Sequence, residues 1–173
     1  MDLELVRPSD EHFAEWKEYC KEFGEIDEEV TPWSCKKDTS DYSEFLQLTR
    51  AEETGIGYIP GYVSADTYFL IRKSDKKIIG GINIRHSLND FLRNFGGHIG
   101  YGIRPSERKK GFGTIILQLG LVKAKEVGLS KILISCLKSN EGSRKIIEKN
   151  GGEFFEESIY VNGLPFLKYW INI

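Results

Sequence analysis

"RPSERKKGFGT", Arg104–Thr114, decides how this chain is read. Three cations, Arg108, Lys109 and Lys110, stand before Gly111 and Gly113, and a long apolar run, "IILQLGLVKAKEVGL", follows. An alternating stretch, "HIGYGI", comes just before. Strand, tight turn and helix is the order that this pattern predicts. The first N–H groups of a helix have no intrahelical partner and carry a partial positive charge. A phosphate placed there satisfies them. Glycine at 111 and 113 allows close approach and left-handed dihedrals that a side chain resists. The nucleotide P-loop pattern is absent, and a single G-x-G is no dinucleotide fingerprint. Taken alone, the turn reads either as a phosphate site or as an ordinary glycine turn before a core helix.

Working outward, 173 residues with 40% hydrophobic and 29% charged content suit one globular domain. The net charge is −2, so nothing global points to nucleic acid, and the cations near Lys109 suit a small anion better than a duplex. Cys20, Cys35 and Cys136 form no C-x-x-C pair, and their odd number argues against a disulfide framework. Cys136 ends an apolar run and reads as a core residue. The histidines, His12, His86 and His98, lack metal-ligand spacing, so no metal is expected. The N-terminus has no signal-peptide pattern, and no apolar run approaches the ~20 residues of a spanning helix. The expectation is a cytoplasmic protein with no membrane partner.

Along the chain, "LELVR" reads as a first strand ended by Pro8. Phe13, Trp16, Cys20 and Phe23 recur at helical spacing, with Gly24 as a stop. A second helix is expected in "TSDYSEFLQLTRAEE", starting at Thr39 or Ser40. Acids outnumber bases between Glu25 and Asp66. That region reads as a solvated helix face with a covering loop, or as a substrate-side lid that attracts a cationic ligand. "TYFLIR" and "KIIGGINIRH" flank a polar turn and predict a hairpin. A helix over Phe112 to about Val127 precedes the buried strand "KILISCL". A short helix follows, with Asn140 near its start and Gly151–Gly152 past its end. Two strands, "EFFEESIYV" and "LPFLKYWINI", are joined at Asn162–Gly163. The predicted order is strand, two helices, three strands, helix, strand, helix, two strands, an α/β or α+β domain with a mixed sheet.

"HIGYGIRPSERKKGFGT", together with "SNEGSRKIIEKNGG", resembles the GNAT superfamily of N-acetyltransferases. The family motif Arg/Gln-x-x-Gly-x-Gly/Ala stands here as Arg108-Lys109-Lys110-Gly111-Phe112-Gly113, and a second match is Asn140-x-x-Ser143. The resemblance covers the chain from Thr67 onward and implies one acetyltransferase domain over 1–173. It implies a mostly antiparallel sheet of six to seven strands with flanking helices and a splayed central strand pair. It also implies an acetyl-CoA cosubstrate. The backbone from Lys109 through Thr114 would hold the pyrophosphate, with Arg108 in the same motif. The main chain of Tyr101, Gly102 and Ile103 would pair with the pantetheine arm like an added strand. Asn140 would bond the arm's amides, and Ser143 would lie close to it.

Acetyl transfer to an amine needs a neutral nucleophile, a stabilised oxyanion and a proton for the departing thiolate. The resemblance implies direct attack by the amine, with the oxyanion held by an N–H at Ile103 or its neighbour. Many family members carry a tyrosine in the short helix, and here that position is Ile147. Tyr160, Tyr58, Tyr62 or water is left as the acid. His98 stands where many members have a carboxylate, and reads either as a base or as a structural polar residue. The acceptor is expected to be the primary amine of a small molecule or peptide. A CoA-binding module without catalysis is the alternative. A homodimer is left open.

Overall fold

In a computed structural model of the protein, the structure describes residues 2–55, 59–160 and 162–173. The described residues form β1 (Leu3–Val6), α1 (Phe13–Gly24), α2 (Tyr42–Thr54), β2 (Ala65–Arg72), β3 (Lys77–Arg85), β4 (Ile99–Ile103), α3 (Phe112–Glu126), β5 (Lys131–Leu137), α4 (Glu141–Lys149), β6 (Glu153–Ile159) and β7 (Pro165–Asn172). This is the order read from the sequence. The strands make two antiparallel sheets, one of four in the order β1-β2-β3-β4 and one of three in the order β5-β7-β6. Helices flank them, giving an α/β architecture. Among the described residues no helix is long and apolar enough to cross a membrane.

β2 and β3 read as continuous apolar runs because helices cover both faces. Tyr68 and Leu70 face the core shared with α3, α4 and β5, whereas Phe69 and Ile71 face the core shared with α1 and α2. A bulge sets Ile71 opposite Ile78 and Leu70 opposite Gly80. Ile79 is the extra residue, so it joins Ile82 and Ile84 in the α3 core while Ile78 joins the other.

α1 differs in detail from its expected face. Trp16, Tyr19 and Phe23 are buried, while Phe13 is 48% exposed and Cys20 only partly covered. The cause is a tie to the end of β4. Arg104 is buried and pairs with Glu15 and, at 2.7 Å, with Glu22. Those acids lie seven residues apart on one helical face, with Tyr19 between them, so gripping Arg104 turns Tyr19 inward. α2 begins later than expected, at Tyr42: Asp41 is its cap and accepts from Glu44 N–H at 3.0 Å. Thr39 Oγ1 instead accepts from Asp41 N–H at 3.0 Å.

Candidate active site

α3 is the crossover between β4 and β5, which belong to different sheets. They are bridged at one end, where His98 N–H donates to Leu133 O at 2.7 Å. Toward Ile103 no such bond joins them, and a cleft of about 740 Å³ opens between β4, the turn before α3 and the start of α4. The phase of the β3–β4 ladder fixes what β4 offers to this gap. Arg85 N–H bonds His98 O at 2.8 Å, and Arg104 N–H bonds Ile79 O at 2.9 Å. Antiparallel pairs alternate, so Gly100 and Gly102 spend their backbone groups on β3. Tyr101 and Ile103 turn theirs toward the cleft.

The other face of β4 shows why alternate glycines are there. A Cβ on Gly102 would come within 2.0 Å of Thr31 O, so the segment between α1 and α2 packs directly against strand backbone. Period-two spacing in "IGYGI" puts both glycines on that one face.

The turn closes one end of the cleft. Lys109 has φ +60° and Gly111 φ +85°, both left-handed. Among the described residues, the N–H groups of Lys109 through Gly113 find no acceptor. Lys109, Gly111, Phe112, Gly113 and Thr114 line the cleft together with Tyr101, Gly102 and Ile103. Asn140 and Ser143 line it from the other side.

The motif's cations behave differently from its backbone. Arg108 meets Glu28 in two bonds, 3.0 and 2.6 Å, and its Nε donates to Ile103 O at 3.2 Å. Lys110 turns back to Glu107 at 3.0 Å and is not part of the cleft wall. Glu107 is buried, not solvent-facing. Burial opposes its ionisation, but hydrogen bonds from Lys110, Lys77 and Arg72 outweigh that and hold the carboxyl at about 2. The turn is thereby pinned to β2 and β3.

Asn140 caps α4, its Oδ1 accepting from Ser143 N–H at 3.0 Å, which leaves its amide nitrogen as a donor. Ser143 Oγ and the Tyr101 hydroxyl are 2.9 Å apart. Burial pushes Tyr101 up to about 12, so the pair stays protonated. Ile147 is fully buried in the α3 core. A smaller cavity of about 210 Å³ continues beyond Tyr101 and shares Thr31, Asn140 and Ser143 with the cleft. Cys136 is on its wall, and burial raises its thiol pKa, which keeps it protonated.

The structure does not bring His98 or Tyr160 to this wall. His98 Nδ1 accepts from Leu133 N–H at 2.9 Å, so the ring bridges the two sheets. Burial, with Arg85 and Arg93 nearby, pushes its pKa down. Tyr160 is half-buried and packs edge-on against the rings of Phe95 and Phe166, at centroid distances of 5.4 and 6.1 Å. Tyr58 lies outside the described residues. Tyr62 lines a separate chamber. The acids between Glu25 and Asp66 are largely committed: Glu28 to Arg108, Glu52 to Lys37, Glu53 and Asp66 to Arg7. The sequence reading missed Thr31 and Glu28, which complete the cleft from the α1 side.

Residues 2–153 match the acetyltransferase (GNAT) domain family, and the chain belongs to that family. Solved structures share its fold. One is the ribosomal L7/L12 alpha-N-protein acetyltransferase RimL in complex with coenzyme A, at 16% identity and TM-score 0.69, over 99% of this chain and 94% of that one. A second is the microcin C7 self-immunity acetyltransferase MccE in complex with acetyl-CoA and AMP, at 16% identity and TM-score 0.68, over 99% and 93%. A third is a spermidine N-acetyltransferase SpeG chimera from Vibrio cholerae and hSSAT, at 14% identity and TM-score 0.67, over 99% and 96%. No curated protein is similar enough in sequence to count as a relative.

Proposed function

We propose that this protein is an acetyl-CoA-dependent N-acetyltransferase that acts on a primary amine by direct attack. The observation that carries the reading is the row of unpaired N–H groups from Lys109 through Gly113, in a turn whose Lys109, Gly111, Phe112 and Gly113 line the cleft that the free edge of β4 and Asn140 also face. Unpaired donors at a helix N-terminus suit a pyrophosphate. Its carrier then runs along Tyr101 and Ile103 as an added strand, with Asn140 Nδ2 donating to it.

The neighbours support the choice of group, since two of them are complexes with acetyl-CoA or coenzyme A. The amine nitrogen bonds the thioester carbon as the C–S bond breaks. A main-chain N–H of Tyr101 or Ile103 stabilises the oxyanion. Ser143 Oγ passes a proton to the departing sulfur and takes one in turn from the Tyr101 hydroxyl, which water reprotonates, and the proton lost by the amine leaves to water. This pair takes the part that Ile147 cannot play.

The test is turnover of acetyl-CoA with a panel of amines, with free CoA followed by a thiol reagent. CoA release that depends on the amine is the expected result. Tight acetyl-CoA binding with no release from any amine would instead mark a binding module.

A further inference from the structure

Past the small cavity lies a chamber of about 490 Å³, and Arg85 and Pro32 stand on the wall of both. Arg85 is the last residue of β3. Its Nη1 donates to Gly96 O and Gly97 O, each at 3.2 Å, which fixes the guanidinium. Among the described residues, Nε and Nη2 have no acceptor. A Cβ on Gly100 would stand 3.5 Å from Nη2, so the group lies directly over β4, one residue from Tyr101. Two donors of a charged fork thus face the passage between the thioester end of the cleft and the chamber.

The charge count of the chamber decides what those donors meet. Its described ionisable wall residues are Glu52 and Arg85. Glu52 is already paired with Lys37 at 2.8 Å, both side chains being buried. Arg85 is left as the uncompensated charge, and guanidinium remains cationic in proteins. A polycation is disfavoured there, whereas a planar fork suits a carboxylate or carbonyl oxygen.

We propose that Arg85 recognises the acceptor through an oxygen adjacent to the reactive amine, so that the substrate is an α-amino acid or the N-terminal residue of a peptide. The remainder of the acceptor lies along Trp33, Tyr62 and Phe91. This rests on the acetyl-transfer reading above. A second consideration agrees with it. For a peptide acceptor, the N-terminal α-amino group has a pKa of about 7.7–8.0 against about 10.4 for a lysine-type amine, so roughly a third is neutral at pH 7.5 with no dedicated base. The carboxylate on the chamber wall, Glu52, is tied to Lys37 and is not needed for that.

The experiment compares matched acceptors on the wild-type enzyme: alanine, alaninamide and an Ala-initiated tripeptide against isopropylamine and spermidine. Acetyl-CoA binding is measured in parallel by thermal shift. Losing a charged hydrogen-bond donor costs about 10- to 100-fold, so the oxygen-bearing acceptors should exceed isopropylamine by that factor in kcat/KM. Preference for alanine identifies a carboxylate, and preference for the amide or tripeptide identifies a carbonyl; either supports the inference. Arg85→Gln should reduce the preference to within about threefold, mainly through KM, with the acetyl-CoA shift intact. Equal or better turnover of isopropylamine or spermidine overturns the inference and leaves acetyl transfer standing. Retention of the preference in Arg85→Gln also overturns it. If that variant fails to fold, the wild-type ratios decide. Absence of CoA release from every amine overturns both readings.

Discussion

At the α3 end of the cleft the wall is main chain: unpaired N–H groups of Lys109, Gly111, Phe112 and Gly113, shaped by two left-handed dihedrals. In the chamber at the end of β3 it is side chain: Trp33, Glu52, Arg85 and Phe91, brought from four separate segments. A backbone site is encoded locally, because glycine spacing and a following helix are enough to specify it. A side-chain site is encoded by tertiary folding, because its members share no spacing. The first end therefore suits an invariant group, and the second can change its partner by single substitutions.

The comparison is broken most forcefully at Gly111. No atom lies within 4 Å of a Cβ built there, so a side chain has space but must accept φ +85°. Gly111→Ala should cost about 1–2 kcal/mol of stability and retain CoA binding. Gly111→Asp should abolish binding by placing a carboxylate among the phosphate donors. The readout is the ligand-induced stabilisation, about 2.7 kcal/mol at a hundredfold excess over Kd, present in the alanine variant and lost in the aspartate variant.

Next in size is the hydroxyl pair. Ser143→Ala should lower kcat by about 100-fold, with acetyl-CoA affinity little changed. Because Tyr101 titrates at about 12, the wild-type rate should stay level up to about pH 10 once the amine is neutral. A descending limb near pH 8 would assign the proton to another group.

Glu107 tests how the backbone site is anchored. Its carboxyl is held at about 2 against an ordinary 4.5. A depressed pKa contributes stability above the unfolded value and loses it as pH falls from 4.5 toward 2. Glu107→Gln should cost on the order of 2–3 kcal/mol at pH 7 and flatten that acid limb, as urea titrations at several pH values would show. The smallest effects are expected at Tyr160→Phe and His98→Gln, within about threefold in kcat. His98→Gln should also lower Tm, since its ring bridges β4 to β5.

Legibility in the sequence followed the same division. The order of elements and the place of the turn could be read because their signals lie within a few residues. The face of α1 could not, because Arg104, more than eighty residues on, turns it. Excess acid before Asp66 suggested a cationic ligand, yet folding spends Glu28, Glu52, Glu53 and Asp66 on internal cations. His98 and Tyr160 had suitable chemistry and motif distance, but neither property reveals that one is clamped to Leu133 and the other packed among rings. A legible sign was passed over: Gly102, inside a strand, marks a place of close approach, its Cβ position lying 2.0 Å from Thr31 O.

Isothermal titration of coenzyme A into the wild-type protein bears most directly on the backbone site. A saturable isotherm with one site per chain, absent in Gly111→Asp and present in Gly111→Ala, is the predicted result. No heat from the wild-type at millimolar coenzyme A would contradict it.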